Sequence, residues 1–159
     1  MEIELCGYKV LIDDEDYERV CKIKWHIKDK KKAEKGQYYF CYTDRKNGRK
    51  TLYLHRYIMN CDKYNGKDVD HINGDRLDNR KSNLRICQHS LNTFNQLKSS
   101  RNKTGYKGVH VNKDTKKYVA QIGIAGRKIY LGSFSCPQEA HDAYCEASKK
   151  YHGEYGRTE

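Results

Sequence analysis

The spacing of hydrophobic and polar residues in the first third of the chain predicts short strands and one helix. Tyr8–Ile12 follows the period of two that is typical of a strand, and the acidic run Asp13–Asp16 indicates the start of a helix. Farther on, Tyr38–Thr43 and Lys50–Leu54 flank Asn47-Gly48, whose residue types tolerate the positive φ of a tight turn. We therefore expect a strand, a helix and a β-hairpin here.

The middle of the chain predicts two strands around a polar loop, followed by a helix. A short helix at His55–Met59 comes first, and strands at Asp68–Ile72 and Leu84–Cys87 then enclose a loop rich in Asn and Asp. The helix is expected from about His89 to Leu97. The stretch Lys98–Gly105 breaks every periodicity and predicts a basic linker that could follow a phosphate backbone.

The last third of the chain contains three strand-like runs and one helix. Apolar and polar side chains alternate over residues 118–124 and 128–131, so one face of a sheet should be apolar. Pro137 suits the first turn of a helix, and Gly153 suits its end. The small Ala residues of this helix would let it approach the sheet closely and cover the apolar face.

Composition points to a polyanionic partner without proving one. The net charge is +11, and residues 98–159 carry 12 Lys and Arg against 6 Asp and Glu, whereas residues 1–97 carry 20 against 15. The shorter C-terminal part is therefore the more basic, as in nucleic-acid-binding domains. The 14 Tyr residues could stack on bases or reach phosphates, although a basic surface and tyrosines in a core explain the same numbers equally well.

Cysteine usage and hydropathy predict a soluble cytoplasmic protein with no membrane partner. Seven Cys residues without a C-x-x-C pair fit neither a disulfide framework nor a four-Cys zinc site, and reduced thiols are the simpler interpretation. No apolar run approaches the roughly 18 residues that span a bilayer. The N-terminal residues Met1–Leu5 lack the charge pattern of a signal peptide.

The most specific chemical signal lies between residues 69 and 92. Cleavage of a phosphodiester needs a base for the attacking water and a cation for the developing negative charge. We expect His71 to take the proton, and Asp70 and Asn92 to hold Mg²⁺ or Mn²⁺ through their oxygens. Asn83 would tie the loop together and orient the imidazole. A polar loop with an incidental His is the alternative.

This segment resembles the His-Asn-His (HNH) endonucleases, in particular the homing branch encoded by phages and introns. The matching positions are Asp70-His71-Ile72-Asn73-Gly74, Asn79-Arg80, Asn83-Leu84-Arg85 and Asn92. The resemblance implies a ββα-metal unit in which His71 is the general base, Asp70 and Asn92 are metal ligands and Asn83 is the central Asn. Because the final position is Asn92 rather than His, zinc is less expected.

Two further histidines have open roles. His55-Arg56 resembles a His-Arg pair found upstream in this branch, for which a structural role or a phosphate contact is the more natural interpretation. His89 precedes Asn92 by three residues and is expected to be an exposed helix residue, with an auxiliary ligand or phosphate contact as the alternative. Asp75, Asp78 and Asn79 are interpreted as turn-forming residues.

The C-terminal part is similar to the Apetala-two/ethylene-response-factor (ERF) DNA-binding domain over about residues 104–156. The matching elements are Tyr106-Lys107-Gly108-Val109, Leu131-Gly132-Ser133-Phe134 and Glu139-Ala140 with Ala143-Tyr144. The similarity implies a three-stranded antiparallel sheet in the major groove with a helix behind it. The implied DNA-facing residues are Lys107, His110, Asn112, Gln121, Lys128 and Tyr130. At several positions where plant members have Arg or Trp, this chain has Lys, His, Asn, Gly123 or Tyr, so base recognition should be looser.

Together these patterns predict an α+β protein in two modules. Residues 1–97 would form an HNH nuclease domain with its ββα-metal core at about 68–97, residues 98–104 a basic linker, and residues 105–159 the ERF-like domain. Arg101 and Lys103 of the linker would contact the DNA backbone. The expected function is metal-dependent cleavage of double-stranded DNA, in a bacterial host or phage-infected cell and without an obligate protein partner. A non-catalytic DNA-binding regulator is the main alternative, and an RNA-binding factor is a weaker one.

Overall fold

The computed structural model describes residues 1–34, 36, 38–45, 50–61, 66–96, 98–99 and 102–158, without the side chain of residue 32. Small sheets and short helices alternate along it, which confirms the α+β class at this coarse level. The chain divides into two compact units, Met1–His89 and Ser90–Glu159. The turn predicted at Asn47-Gly48 and the DNA contact predicted for Arg101 lie outside the described residues.

Within the described residues, the strands are β1 (Glu2–Leu5), β2 (Tyr8–Leu11), β3 (His26–Ile27), β4 (Phe40–Asp44), β5 (Lys50–Tyr53), β6 (Lys67–His71), β7 (Leu84–Gln88), β8 (Val109–Val111), β9 (Tyr118–Ile124) and β10 (Arg127–Phe134). The α-helices are α1 (Tyr17–Cys21), α2 (Lys30–Ala33), α3 (Leu54–Ile58), α4 (His89–Asn92) and α5 (Pro137–Tyr151). None of the helices described here is long and apolar enough to cross a membrane. No disulfide joins the seven cysteines, all of which are described.

The first unit is built from three small antiparallel sheets around one apolar core. β1 pairs with β2, β3 and β5 flank β4, and β6 pairs with β7. The β1–β2 turn is tight because Cys6 and Gly7 both have positive φ, of 56° and 82°. The buried core residues are Ile3, Val10, Ile12, Val20, Trp25, Phe40, Leu54, Ile58, Cys61, Val69 and Leu84. This core fixes α3 and the β6–β7 hairpin, which carry the candidate active site.

The helix predicted from about His89 to Leu97 is shorter than expected. The α-helix ends at Asn92 and continues only as a 3-10 turn over Thr93–Asn95. The Thr93 hydroxyl donates a hydrogen bond to the carbonyl of Ser90 at 2.6 Å, and such local side-chain bonds compete with helical hydrogen bonds. Asn and Thr also have low helix propensity.

The second unit is a three-stranded antiparallel sheet in the order β10-β9-β8, with α5 packed on it. Pro137 is the first residue of α5, where its missing N–H is tolerated. Buried Ala140 and Ala147 allow the close approach of α5 to the strands. The expected alternation in β10 is interrupted by a register shift between Tyr130 and Gly132, and Ile129 is 39% exposed instead of covered.

The division between the two compact units falls between His89 and Ser90, earlier in the sequence than residue 97, where we expected it. The segment before that boundary belongs to the second unit, because the ring of Phe94 stacks on His152 at a centroid distance of 3.8 Å. The Lys107 ammonium also donates to the carbonyl oxygens of Phe94 and Gln96, at 2.9 and 2.6 Å. The linker role of residues 98–104 stays a prediction.

Candidate active site

Asp70 and His71 are the last two residues of β6, and both are buried. Antiparallel pairing places Asp70 opposite Arg85 and His71 opposite Leu84 on β7. The strand end is thereby fixed by a hairpin whose residues Val69 and Leu84 are buried in the core. The two side chains therefore occupy rigid positions where β6 gives way to the loop 72–83.

The Asn83 side chain joins both ends of this loop. Its Oδ1 accepts a hydrogen bond from the Asn73 backbone N–H at 3.0 Å, and its Nδ2 donates to the Asp78 carbonyl at 2.8 Å. The loop is also fastened to β2, since the Asn79 N–H donates to the Leu11 carbonyl at 2.7 Å. These contacts hold the loop around the end of β6, and the orienting role of Asn83 in catalysis stays a prediction.

Asn79 forms a hydrogen bond with the His71 ring. Its side chain is almost fully buried, and its Oδ1 lies 3.2 Å from His71 Nε2. The Asn79 Nδ2 donates to the Arg76 carbonyl at 3.1 Å, which turns Oδ1 toward the imidazole. Nε2 must then carry the proton, and Nδ1 carries the lone pair. Asn79 was interpreted as a turn residue, although the Asn79-Arg80 match to the HNH pattern was a signal of a larger role.

His71 is held in its uncharged form. Burial lowers the pKa of His71 below its ordinary value of 6.5, and this outweighs the hydrogen bond that His71 donates to Asn79 and the charge of Asp70, which both act to raise the pKa. The positive charge of Arg76 acts in the same direction as burial. A neutral imidazole is the form that can accept a proton at neutral pH.

His55 packs against His71 and is a neighbour that the sequence did not place there. The two ring centroids are 5.3 Å apart, and the rings of Tyr39 and Tyr53 lie 5.8 and 5.9 Å from His55. Burial lowers the pKa of His55 to about 3, with smaller contributions from His71 and from the charge of Arg56. This second imidazole is therefore neutral over the whole physiological range.

The carboxylate of Asp70 is paired with its cross-strand partner. Arg85 donates to Asp70 Oδ2 from Nε at 3.1 Å and from Nη2 at 2.8 Å. A divalent cation at Asp70 would have to share the carboxylate with Arg85 or replace it. The described residues contain no group of three or more His, Cys, Asp or Glu side chains suited to a metal ion.

A second acidic residue on the same strand links α3 to α4. Asp68 accepts a hydrogen bond from Arg56 Nη2 at 2.9 Å, and its other carboxylate oxygen lies 2.7 Å from Nδ1 of His89. The His89 side chain is 81% exposed. Arg56 of the His-Arg pair thus has a structural contact here, and His89 is both exposed and paired with a carboxylate.

Asn92, the expected second metal ligand, is the last residue of α4. It belongs to the second compact unit, whereas Asp70 and His71 belong to the first. Its role in metal binding therefore stays a prediction.

Four of the residues expected to face DNA share one face of the sheet in the second unit. Tyr130 is opposite Gln121, Lys128 is opposite Gly123, and His110 is opposite Val119. Val119, Gln121 and Gly123 are two residues apart along β9 and therefore lie on one face. Tyr130 is 64% exposed. A groove of about 290 Å³ borders this face and is lined by His110 and Gln121 together with Lys98, Ser99 and Asn102.

Three other residues that were predicted to contact DNA, Asn112, Lys107 and Lys103, lie elsewhere in the structure. Asn112 Oδ1 accepts hydrogen bonds from the N–H groups of Asp114 and Thr115, at 2.9 and 3.1 Å, and so shapes the turn between β8 and β9. Burial lowers the pKa of Lys107 to about 8, with a smaller effect of the Arg157 charge. Lys103 is exposed. DNA contacts of these three residues stay predictions.

Residues 53–93, from the end of β5 to just past α4, match the family model described as HNH endonuclease. The match spans 41 of the 159 residues and contains Asp70, His71, Asn83 and Asn92. It supports a nuclease of the HNH type, a class that cleaves DNA and generally uses a divalent metal ion. Comparisons with curated proteins and with solved structures found no match.

Proposed function

We propose that this protein is a metal-dependent DNA endonuclease of the homing type, with its catalytic centre in the first unit and a DNA-binding sheet in the second. The observation that carries the proposal is the state of His71. It is buried, uncharged and oriented by Asn79, beside an acidic residue, within the segment that matches HNH endonucleases. A buried neutral imidazole in a fixed tautomer is suited to general-base catalysis.

The proposed reaction is the hydrolysis of a DNA phosphodiester. Nδ1 of His71 takes a proton from water while the water oxygen attacks phosphorus and the bond from phosphorus to the 3′ oxygen breaks. The leaving 3′ oxygen takes a proton from solvent water, and the products are a 5′ phosphate and a 3′ hydroxyl. Asn79 keeps the proton on Nε2 during the attack, and Asn83 holds the loop that positions Asn79.

The donor chemistry of Asp70 and Asn92 fits Mg²⁺ or Mn²⁺. Mg²⁺ binds oxygen ligands, keeps several waters and commonly uses only one or two carboxylates together with substrate phosphates. Asp70 supplies one buried carboxylate, and Asn92 would supply an amide oxygen. When bound, the ion would stabilise negative charge on the phosphate and on the leaving oxygen.

The second unit is proposed to bind duplex DNA through the face that carries His110, Gln121, Lys128 and Tyr130, as the ERF-like pattern implies. Lys98 and Lys103, with Arg101, would add contacts to the phosphate backbone. Most of the affinity should therefore depend on salt.

The test is single-turnover cleavage of plasmid DNA in Mg²⁺ by the full chain and by His71→Ala, with DNA binding measured in EDTA. His71→Ala should lose cleavage by a factor of about 10² to 10⁴, the usual contribution of a general base. Its affinity for DNA and the salt dependence of that affinity should be unchanged. Undiminished nicking by His71→Ala would contradict the proposal.

A non-catalytic DNA-binding regulator is the second candidate, and the Arg85 pair on Asp70 favours it. In the described structure that carboxylate forms an ion pair with the Arg85 guanidinium, which would compete with a metal ion for it. Salt-sensitive binding by the wild-type chain without cleavage in Mg²⁺ or Mn²⁺ would establish this alternative.

A further inference from the structure

Arg76 lies in the loop between β6 and β7, and the proposed reaction does not use it. Its guanidinium carbon lies over the ring of Tyr39, 4.5 Å from the ring centroid. Within the described residues this guanidinium donates no hydrogen bond and forms no ion pair. The other arginines around the site, Arg56, Arg80 and Arg85, each hold a carboxylate.

The backbone of Arg76 is tied to the general base. The Asn79 side chain connects the two residues. Its Oδ1 accepts a hydrogen bond from His71 Nε2, and its Nδ2 donates one to the Arg76 carbonyl. The charge of Arg76 is close enough to contribute to the lowered pKa of His71 and of His55, although burial is the larger cause for each. Arg76 therefore lies at the edge of the His71 site.

The half-buried guanidinium of Arg76 forms no direct ion pair within the described residues, not even with its chain neighbour Asp75. Its N–H donors are therefore available to a bound anion. The cation–π contact with Tyr39 helps to hold the guanidinium in place. A planar guanidinium carries a fork of N–H donors that suits phosphate oxygens.

We infer that Arg76 is a phosphate-binding residue that donates hydrogen bonds to the nonbridging oxygens of the scissile DNA phosphate, next to His71. This inference rests on the proposed nuclease function and assigns the substrate contact within that site. As the water oxygen bonds to phosphorus, negative charge builds on the nonbridging oxygens. The hydrogen bonds from Arg76 strengthen at that moment and so lower the barrier.

The experiment compares wild type, Arg76→Gln, Arg76→Lys and the control Lys22→Gln, which removes the same charge from an exposed position at the end of α1. Single-turnover cleavage is measured in Mg²⁺, and affinity for the same duplex is measured in EDTA. Arg76→Gln should cleave about 10²- to 10³-fold more slowly, the usual effect of removing one donor to a developing negative charge. Its affinity should match that of Lys22→Gln.

A modified substrate separates phosphate binding from a structural role. Once the wild-type cleavage site is mapped, an uncharged methylphosphonate replaces the phosphate at that position. Wild type should lose rate sharply on this substrate, and Arg76→Gln should lose much less, because its phosphate contact is already absent. Arg76→Lys keeps the charge without the planar fork, and its loss of cleavage rate should fall between those of wild type and Arg76→Gln. If Arg76→Gln loses the native Trp25 emission, Arg76→Lys takes its place in the comparison.

The two hypotheses fail in different ways. If wild type cleaves, His71→Ala does not, and Arg76→Gln cleaves at the wild-type rate, the Arg76 inference is overturned and the nuclease proposal stands. Equal losses of rate and affinity in Arg76→Gln would also overturn it, since they would indicate a general DNA contact. If wild type cleaves in neither Mg²⁺ nor Mn²⁺, the nuclease proposal itself fails.

Discussion

Acid should destabilise the first unit through His55. The folded protein keeps this imidazole neutral because burial lowers its pKa to about 3, whereas an unfolded chain would bind the proton with the ordinary value of 6.5. Between these two values the unfolded state binds more protons than the folded state. Stability is therefore full above pH 6.5 and falls as the pH drops from 6.5 toward 3.

The magnitude follows from the two pKa values. Each pH unit within the window changes the free energy of unfolding by up to about 1.4 kcal/mol, and at pH 5 the loss relative to pH 8 is about 2 kcal/mol from His55 alone. A loss of this size is a large part of the roughly 5–15 kcal/mol that stabilises a typical domain. His71, whose pKa is also lowered by burial, adds a second contribution in the same direction.

The assay is urea unfolding of the full chain at pH values from 5 to 8, followed by Trp25 fluorescence. Trp25 is the only Trp and is buried in the core of the first unit, so its emission reports the unit that contains His55. His55→Gln cannot take up the proton and should show a shallower pH dependence, with His55→Asn as a second variant. The slopes are compared, so a uniform loss of stability does not affect the result. Parallel pH profiles for wild type and variant would refute the reasoning.

Two further changes test particular contacts. Gly108→Ala should destabilise the second unit by about 2–5 kcal/mol, through left-handed backbone strain and overpacking, because a Cβ there would lie 2.0 Å from the Tyr144 ring. Gly126→Ala has a similar positive φ and open space, so hydrogen exchange of β9 amides should be affected much more by Gly108→Ala than by this control. Asn79→Ala should slow cleavage by about 10- to 100-fold, the typical effect of losing a group that orients a catalytic His, with unchanged DNA affinity in EDTA. A wild-type rate for Asn79→Ala would show that the tautomer of His71 is set by another group.

The local elements of the site could be predicted because they depend on residues near each other in sequence. Asp68–Ile72 and Leu84–Cys87 were expected as strands, and the structure has them at Lys67–His71 and Leu84–Gln88. β1 could also have been predicted from the sequence, because polar and apolar residues alternate over Glu2–Leu5 with the period of a strand. A short local pattern was sufficient for these elements.

Contacts across the fold could not be predicted in the same way. The burial of Asn79 depends on its hydrogen bond to Leu11, 68 residues earlier, and an Asn in a polar loop otherwise indicates a turn. The contact of His55 with His71 depends on how the core positions α3 against β6, which no local period encodes. The register shift between Tyr130 and Gly132 likewise belongs to the pairing of β10 with β9, which lies outside the local pattern of β10.

The choice of neutral partners for His71 has a chemical consequence. A carboxylate on Nε2 would stabilise the imidazolium, raise the pKa of His71 and leave more of the base protonated at neutral pH. Here the Asn79 amide fixes the tautomer without a charge, and neutral His55 fills the adjacent space. The charges of Asp70 and Asp75 raise the pKa of His71, but Oδ2 of Asp70 is held by Arg85 and burial of the imidazole is the larger effect. The orientation of His71 and its charge state are thus controlled by different residues, so that the proposed general base is both fixed in position and uncharged.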